Sequence, residues 1–152
     1  MFAVVRLRGS SGLRKDIEDT LRMLRLEAPN NCVLVPETED YKGMLEKCNA
    51  ACTWGEIEKE TLVKLLIKRL MAESDKKVDE KLLKEITGID SFEKFADALI
   101  SGKPKLKDFK KLKPVFRLPP PSKGFKSIRE LYPKGDLGYR KKDINKLLER
   151  MI

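Results

Sequence analysis

Residues 2–54 read FAVVRLRGSSGLRKDIEDTLRMLRLEAPNNCVLVPETEDYKGMLEKCNAACTW, and the architecture of the chain follows from this stretch. Short β-prone runs at its beginning, middle and end are separated by two longer segments in which apolar residues recur with helical spacing. The predicted order of elements is therefore β-α-β-α-β. Two amphipathic helices are expected to cover one face of a small three-stranded sheet.

The boundaries of these elements follow from the same periodicities. The first strand is expected over residues 2–8, with Phe2 and Val4 facing the core and Arg6 and Arg8 outside it or at its rim. The second and third strands are expected over residues 32–35 and 49–54. This is the layout of a ferredoxin-like sandwich, an α+β fold. The apolar helix faces consist of Ile17, Leu21 and Leu24 in the first helix and of Tyr41, Met44, Leu45 and Cys48 in the second.

The chain beyond Gly55 is predicted to be helical at first and extended later. Helices are expected over residues 58–71, from residue 79 to 88 and from residue 91 to 102, where Asp79 and Ser91 are suitable caps. An edge strand at most is expected over residues 114–118, a turn over 135–139 and a closing helix over 143–152. Two apolar stripes are assigned to the core: Leu62, Leu65, Leu66 and Leu70, and then Ile144, Leu147, Leu148 and Met151.

These patterns divide the chain into a ferredoxin-like core over residues 1–56 and a helical and extended addition over residues 57–152. The addition contains a basic loop at 103–142 and the closing helix at 143–152. A packed helix after the loop would hold both of its ends. A docked loop is therefore favoured over a free tail.

The positive charge of the chain is concentrated in this basic loop. Residues 103–142 hold fourteen Lys/Arg and three acids, a net charge of +11, whereas the remaining residues have a net charge of −2. Such an asymmetry indicates a polyanionic partner, and RNA is the leading candidate. The alternative is a lysine-rich loop that is merely solvated.

The composition also disfavours several classes of function. The chain has no histidine, which removes Ser-His-Asp and Cys-His relays and a histidine general base. Its three cysteines, Cys32, Cys48 and Cys52, are expected to be reduced and buried, and a structural zinc site is disfavoured. No apolar run approaches the roughly 20 residues that span a bilayer. The start MFAVVRLRG does not resemble a signal peptide, so a cytosolic protein without a membrane partner is expected.

Two basic elements are candidate contacts for phosphate groups. The first is the loop from Arg8 to Lys15, where backbone amides at a helix start could bind an anion; it lacks the P-loop ending, and a flexible connection is the alternative. The second is the extended basic segment over residues 113–142, whose aromatic side chains could stack on bases or pack on the domain. The candidate RNA-binding residues are Arg6, Arg8, Ser10, Arg14, Lys15, Arg117, Lys123, Lys126, Arg140, Lys141 and Lys142, and the aromatic candidates are Phe116, Phe125, Tyr132 and Tyr139.

The chain resembles the universal large-subunit ribosomal protein number 30 family in its archaeal form, whose eukaryotic counterpart is large-subunit protein number 7. The resemblance rests on FAVVRLRGSSG, LRMLRLEAPNNCVLVPETEDYKGMLEKCN, TWGEI, FRLPPPSKGFK and YPKGDLGYRKKDINKLLERM, in this order. Arg6, Arg8, Arg14, Lys123, Arg140 and Lys141 match basic positions of the family. Where members often have Arg-Gly-Gly after the proline run, this chain has Ser122-Lys123-Gly124.

The resemblance implies a ferredoxin-like core with an archaeal and eukaryotic addition. It implies a structural protein of the large ribosomal subunit that binds large-subunit (23S) rRNA, contacts neighbouring ribosomal proteins and lies near the 5S rRNA. It implies no enzymatic activity, no cofactor and no small-molecule substrate. Two other hypotheses remain: a protein-protein interaction module with a basic solubilising tail, and a nucleotide-dependent enzyme that uses the Gly9–Gly12 loop.

Overall fold

A computed structural model describes all 152 residues of the chain. The first third confirms the predicted order of strands and helices, with boundaries shifted by a few residues. Thr38 stands at the N-cap position of the second helix, although its side chain makes no capping hydrogen bond. The elements are β1 (Phe2–Arg6), α1 (Lys15–Met23), β2 (Asn31–Val35), α2 (Glu39–Lys47) and β3 (Cys52–Glu56).

The remainder of the chain is mostly helical up to residue 100 and extended thereafter. Ser91 caps its helix by accepting a hydrogen bond from the Lys94 N–H at 3.3 Å. Gly88 ends the preceding helix in the left-handed conformation, with φ of 75°. The elements are α3 (Lys59–Arg69), α4 (Glu80–Thr87), α5 (Phe92–Ile100), β4 (Val115–Arg117), β5 (Gly138–Tyr139) and α6 (Ile144–Met151), with 3-10 turns at Leu106–Asp108 and Lys141–Asp143.

The sheet has five strands in the order β4-β2-β1-β3-β5, two more than the three predicted for the core. The central strand β1 is antiparallel to both neighbours, so that Val4 lies opposite Val33 on one side and Trp54 on the other. β4 is an edge strand, as expected. The prediction of a turn over residues 135–139 is wrong in part, because Gly138 and Tyr139 pair with β3 as a parallel edge strand.

Helices cover both faces of the sheet, whereas one covered face was predicted. On one face Phe2 and Val4 pack in a cluster with residues of α1 and α2. On the other face Ala3 and Val5 pack with residues of α3, α5 and α6. Because side chains on successive strand positions point to opposite faces, a strand covered on both sides is apolar throughout, and residues 2–5 are all buried. The structure is an α+β fold, as predicted.

The two ranges 1–56 and 57–152 share one apolar core. The cluster that contains Ala3 and Val5 also contains Leu66 of α3, Phe95 of α5 and Leu148 of α6. Both predicted stripes are buried, each member exposing 2% or less of its surface. The addition is therefore packed directly on the sheet of the first range.

The closing helix is held against β3 by a close approach of two backbones. A Cβ atom built on Gly55 would lie 2.0 Å from the carbonyl oxygen of Lys141, so only glycine fits at this position. Asn145 adds three hydrogen bonds at the same junction: its Nδ2 donates to the carbonyls of Glu56 at 3.0 Å and of Lys142 at 2.8 Å, and its Oδ1 accepts from the Glu58 N–H at 2.9 Å.

The three cysteines are free thiols and are fully buried, as predicted. Burial raises the pKa of the Cys32 thiol to about 12, which keeps it protonated and unreactive near neutral pH. None of the helices is long and apolar enough to cross a bilayer.

Candidate nucleic-acid interface

Most of the predicted contact residues lie around one end of the sheet, which we call the basic end. β1 finishes there with Arg6 and leads into the loop that carries Arg8, Ser10, Arg14 and Lys15. Arg117 ends β4 at the same end, because it pairs with Asn31 at the start of β2. The proline run then carries the chain on to Lys123 and Lys126.

The Lys126 region is fixed to the same end by one carboxylate. The backbone N–H of Lys126 donates a hydrogen bond to Oδ2 of Asp136. Asp136 lies two residues before β5, whose Gly138 pairs with Thr53 near the start of β3. We therefore define the basic end by Arg8, Ser10, Arg14, Lys15, Arg117, Lys123 and Lys126.

Arg6 is buried, which corrects its expected position outside the core or at its rim. Its side chain donates four hydrogen bonds: Nε to the carbonyl of Arg8 at 2.7 Å, Nη1 to those of Leu26 and Glu27 at 2.7 and 2.8 Å, and Nη2 to Oγ of Ser10 at 2.9 Å. Burial lowers the pKa of this guanidinium below its usual value. Arg6 fastens the loop after β1 to the segment before β2.

Arg140 is the second buried arginine of the predicted set. Nη2 donates to Oδ1 of Asp136 at 2.9 Å and to its carbonyl at 2.6 Å, and Nε donates to Oγ1 of Thr53 at 2.8 Å. The guanidinium carbon also lies 5.2 Å from the centre of the Tyr132 ring, a cation–π geometry. Arg140 thus fixes the basic loop to β3 in the same way as Arg6 fixes the loop after β1.

The cations that remain at the basic end are accessible. Arg14, Lys15, Arg117, Lys123 and Lys126 are exposed. Nη2 of Arg14 lies 3.1 Å from the exposed carboxylate of Asp16, and Nη1 of Arg117 lies 4.0 Å from the carboxylate of Asp75. The three lysines have no carboxylate partner.

The last two side chains of the predicted set lie elsewhere. Lys141 and Lys142 are exposed in the 3-10 turn that follows β5, next to Gly55 at the other end of β3. The remaining predicted residue, Arg8, does lie at the basic end. It is half-buried there and donates a hydrogen bond to the Ala50 carbonyl at 3.2 Å. The structure therefore brings seven of the eleven predicted residues to one end, buries two as clamps and places two at the opposite end.

The aromatic residues of the basic loop divide into packed and exposed rings. Phe116 is completely buried in the core. Tyr132 and Tyr139 are 37% and 40% exposed. The Tyr139 ring lies on Trp54 with 4.4 Å between centres, and Trp54 itself is buried. Phe125 is half-buried and packs against the apolar cluster that contains Ala3 and Val5. The two tyrosines are therefore the most exposed rings among the four aromatic candidates.

The sequence prediction missed Asp136, Thr53 and Asn145, which hold the basic loop in place. Asp136 carried a signal, because it is one of only three acids in residues 103–142 and lies four residues before Arg140. Thr53 carried none, since its contact with Arg140 spans most of the chain length.

Comparison with known proteins gives the family of the chain. A family model described as ribosomal protein L30p/L7e matches residues 2–50. Proteins named large ribosomal subunit protein uL30 are similar over nearly their whole length. The relative from Archaeoglobus fulgidus is 46% identical over 151 residues, 99% of both chains. That from Thermofilum pendens is 48% identical over 155 residues, 100% of this chain and 99% of its own.

A third relative, from Methanococcus maripaludis, is 46% identical over 154 residues and again covers 99% of both chains. These matches include the helical and extended addition as well as the first three strands. At such identity over the full length, the sequence and the fold lead to one conclusion: the chain belongs to the L30p/L7e family of ribosomal proteins.

Proposed function

We propose that the protein is a structural constituent of the large ribosomal subunit and binds 23S rRNA through its basic end. The relatives are named as proteins of that subunit. Binding would consist of phosphate neutralisation by the exposed cations of two loops on a rigid sheet-and-helix platform. No catalytic step is part of this proposal.

The observation that carries the proposal is that two arginines of the predicted set are buried, whereas the lysines at the basic end are exposed. Arg6 and Arg140 are buried, and their guanidinium groups donate hydrogen bonds to acceptors in the loops next to them. Lys15, Lys123 and Lys126 are exposed without a carboxylate partner. Pre-positioned cations bind an irregular phosphate backbone with a smaller entropy loss than cations on a free tail. Arg6 and Arg140 are accordingly proposed as positioning residues rather than as phosphate contacts.

The position of the basic loop is unfavourable to the hypothesis of a solubilising tail. Phe116, Leu118 and Leu137 of the loop are buried in the apolar cluster that also contains Ala3 and Val5. A tail that served only solubility would not need anchors of this kind. In the Gly9–Gly12 loop, Oγ of Ser10 accepts a hydrogen bond from Arg6 at 2.9 Å, so this side chain takes part in fixing the loop after β1.

Salt-dependent binding of the full-length protein to 23S rRNA tests the proposal. The logarithm of the binding constant is expected to fall linearly with the logarithm of salt concentration. Lys15→Ala, Lys123→Ala and Lys126→Ala should each reduce the slope by about 0.7–0.9 if each lysine neutralises one phosphate. Lys81→Ala, at an exposed lysine of α4, is the matched control and should leave the slope unchanged. Affinity that is equal at low and moderate salt would contradict the proposal.

We also propose that the protein lies near the 5S rRNA in the large ribosomal subunit. It rests on the family resemblance, and no contact within the chain bears on it. Photo-crosslinking from Lys123 and from Lys141 in assembled subunits tests it, since these positions lie at different ends of the sheet. Crosslinks to 5S rRNA or to its immediate 23S neighbours are expected from at least one of the two. Crosslinks from both positions only to distant 23S regions would contradict it.

A further inference from the structure

An apolar groove opens along the outer edge of β2, at the end of the sheet away from the basic end. Its volume is about 500 Å³. Val35 and Leu99 are buried side chains in its lining, and Met23 and Ile100 line it with 73% and 41% of their surface exposed. We call this site the edge groove. Two large apolar side chains in contact with water at a concave site need a physical explanation.

The edge groove contains an open strand edge. β4 pairs with residues 31–33 of β2 and no further. The Leu118 N–H donates to the Asn30 carbonyl at 3.2 Å, so alternation along β2 directs the N–H and C=O of Leu34 to that same side. The register would place Pro114 opposite Leu34, and proline has no N–H to donate. The backbone N–H and C=O of Leu34 form no hydrogen bond with a loop residue. Both groups therefore face the groove, whose lining includes Leu34.

The rim of the edge groove is positively charged. Arg25, Lys105 and Lys107 line it, are exposed and have no ion-pair partner. Its one carboxylate, Glu37, is paired with the amino group of Met1. The site therefore combines an apolar floor, a free backbone donor and acceptor, and unbalanced positive charge.

We propose that the edge groove docks an extended segment of another protein in which acidic and apolar residues alternate. The segment adds a strand beside Leu34 through backbone hydrogen bonds. Its successive side chains point to opposite sides, so that apolar ones reach the floor while acidic ones reach Arg25, Lys105 and Lys107. This surface is separate from the basic end and does not depend on the proposed contact with RNA.

The same observations favour a peptide over RNA or a second copy of the chain. RNA has no backbone N–H and C=O to complete a strand edge, and its bases prefer aromatic surfaces, whereas Tyr41 is the only aromatic ring in the groove lining. A second copy would bring an edge with the same positive rim, and like charges would oppose each other.

A short capped peptide of alternating aspartate and valine is a direct probe, added to the full-length protein. Saturable binding is expected, together with slower hydrogen exchange of the Leu34 amide. A peptide of alternating lysine and valine should not bind. The double variant Lys105→Glu/Lys107→Glu should weaken binding about tenfold or more, as expected for loss of two charge contacts. Lys123→Glu/Lys126→Glu, at the basic end, is the matched control and should leave peptide affinity nearly unchanged.

The apolar part of the site is tested by a second pair of exposed residues. Ile100→Asp lies in the groove and should abolish binding, whereas Ile67→Asp, at an isoleucine of similar exposure in α3, should not. Peptide binding without protection of Leu34, or equal losses in the two lysine pairs, overturns the proposal. Displacement of the peptide by polyuridylate from the groove, or protection of Leu34 by self-association alone, overturns it in favour of RNA or of a second copy.

Discussion

Asp136 and Arg140 form a buried ion pair within the segment that holds the excess positive charge of the chain. Their side chains are 10% and 6% exposed, and the distance from Oδ1 to Nη2 is 2.9 Å. The other oxygen of Asp136 accepts hydrogen bonds from the N–H groups of Lys126 and Ser127. Through Arg140 and Thr53 the pair fastens residues 126–140 to β3.

Asp136→Ala is expected to destabilise the protein strongly. The substitution leaves the Arg140 guanidinium buried without its counter-charge and removes the acceptor for two backbone N–H groups. Loss of one partner of a buried pair costs about 3–5 kcal/mol. Urea unfolding measures this loss, and amide exchange of residues 126–140 should become faster in the variant.

Lys146→Ala is the matched control for this ion pair. Lys146 of α6 and Asp143, the last residue of the preceding 3-10 turn, form an exposed pair at 2.8 Å. Water and salt screen such a pair, so its loss should not change the unfolding midpoint measurably. Similar unfolding midpoints for Asp136→Ala and Lys146→Ala would mean that the buried pair contributes no more to the free energy of unfolding than the exposed pair.

The helices and the first strands could be predicted because local patterns determine them. Leu62, Leu65, Leu66 and Leu70 repeat with helical spacing, and all four are completely buried. Ser91 is a typical N-cap residue, and it caps the helix that begins at Phe92. Such signals lie within a few residues of the element that they specify.

Features that depend on contacts far along the chain could not be predicted in this way. Gly138 and Tyr139 form a strand only because β3 lies beside them, and their own sequence is typical of a turn. The burial of Arg6 depends on carbonyls twenty residues away in the chain. Charge counting located the basic segment, but it could not separate Arg140, a clamp, from Lys141, its exposed neighbour.

Gly55→Ala is expected to disturb the docking of the closing helix. The added methyl group would lie 2.0 Å from the Lys141 carbonyl oxygen and 3.2 Å from Cβ of Ile144, so the backbone must shift. Overpacking of this kind costs about 1–3 kcal/mol, and backbone contact places the variant at the upper end. Thermal unfolding followed by circular dichroism measures the change.

Gly43→Ala gives the opposite result for the same chemical change. Gly43 lies exposed within α2, and nothing is within 4 Å of a Cβ atom at this position. Alanine in a helix interior is favoured over glycine by about 0.5–1 kcal/mol, so this variant should be more stable than the parent protein. Equal destabilisation by both substitutions would show that the close approach to Lys141 is not responsible.

Alkaline pH should release the contact between Tyr139 and Glu56. The phenol donates a hydrogen bond to the Glu56 carboxylate, which, with burial, raises the pKa of Tyr139 from 10.0 to about 12. Below pH 10 the tyrosine is protonated in both the folded and the unfolded protein, and the contact contributes fully to stability. As the pH rises to about 12 the unfolded state loses its proton first, so this contribution declines and then disappears.

Ultraviolet titration of phenolate absorbance checks the assignment. Subtracting the curve of Tyr139→Phe from that of the parent protein should leave one transition near pH 12. Glu56→Gln removes the charge that opposes ionisation, and the transition should move back towards pH 10. An unchanged transition in Glu56→Gln would assign the shift to another cause.

Arg6→Lys should separate the positioning of a loop from direct contact with phosphate. Lysine keeps the positive charge but cannot reproduce the four hydrogen bonds of Arg6, so the carbonyls of Leu26 and Glu27 lose a donor. A cost of about 2–3 kcal/mol in unfolding free energy is expected from the unpaired buried groups. The affinity for 23S rRNA should fall because the loop is no longer held, while the salt dependence of rRNA binding stays that of the parent protein.

Lys15→Ala should do the reverse, reducing the slope of the salt dependence with little effect on stability, because Lys15 is exposed and unpaired. A reduced slope in Arg6→Lys would instead mean that Arg6 itself reaches a phosphate group.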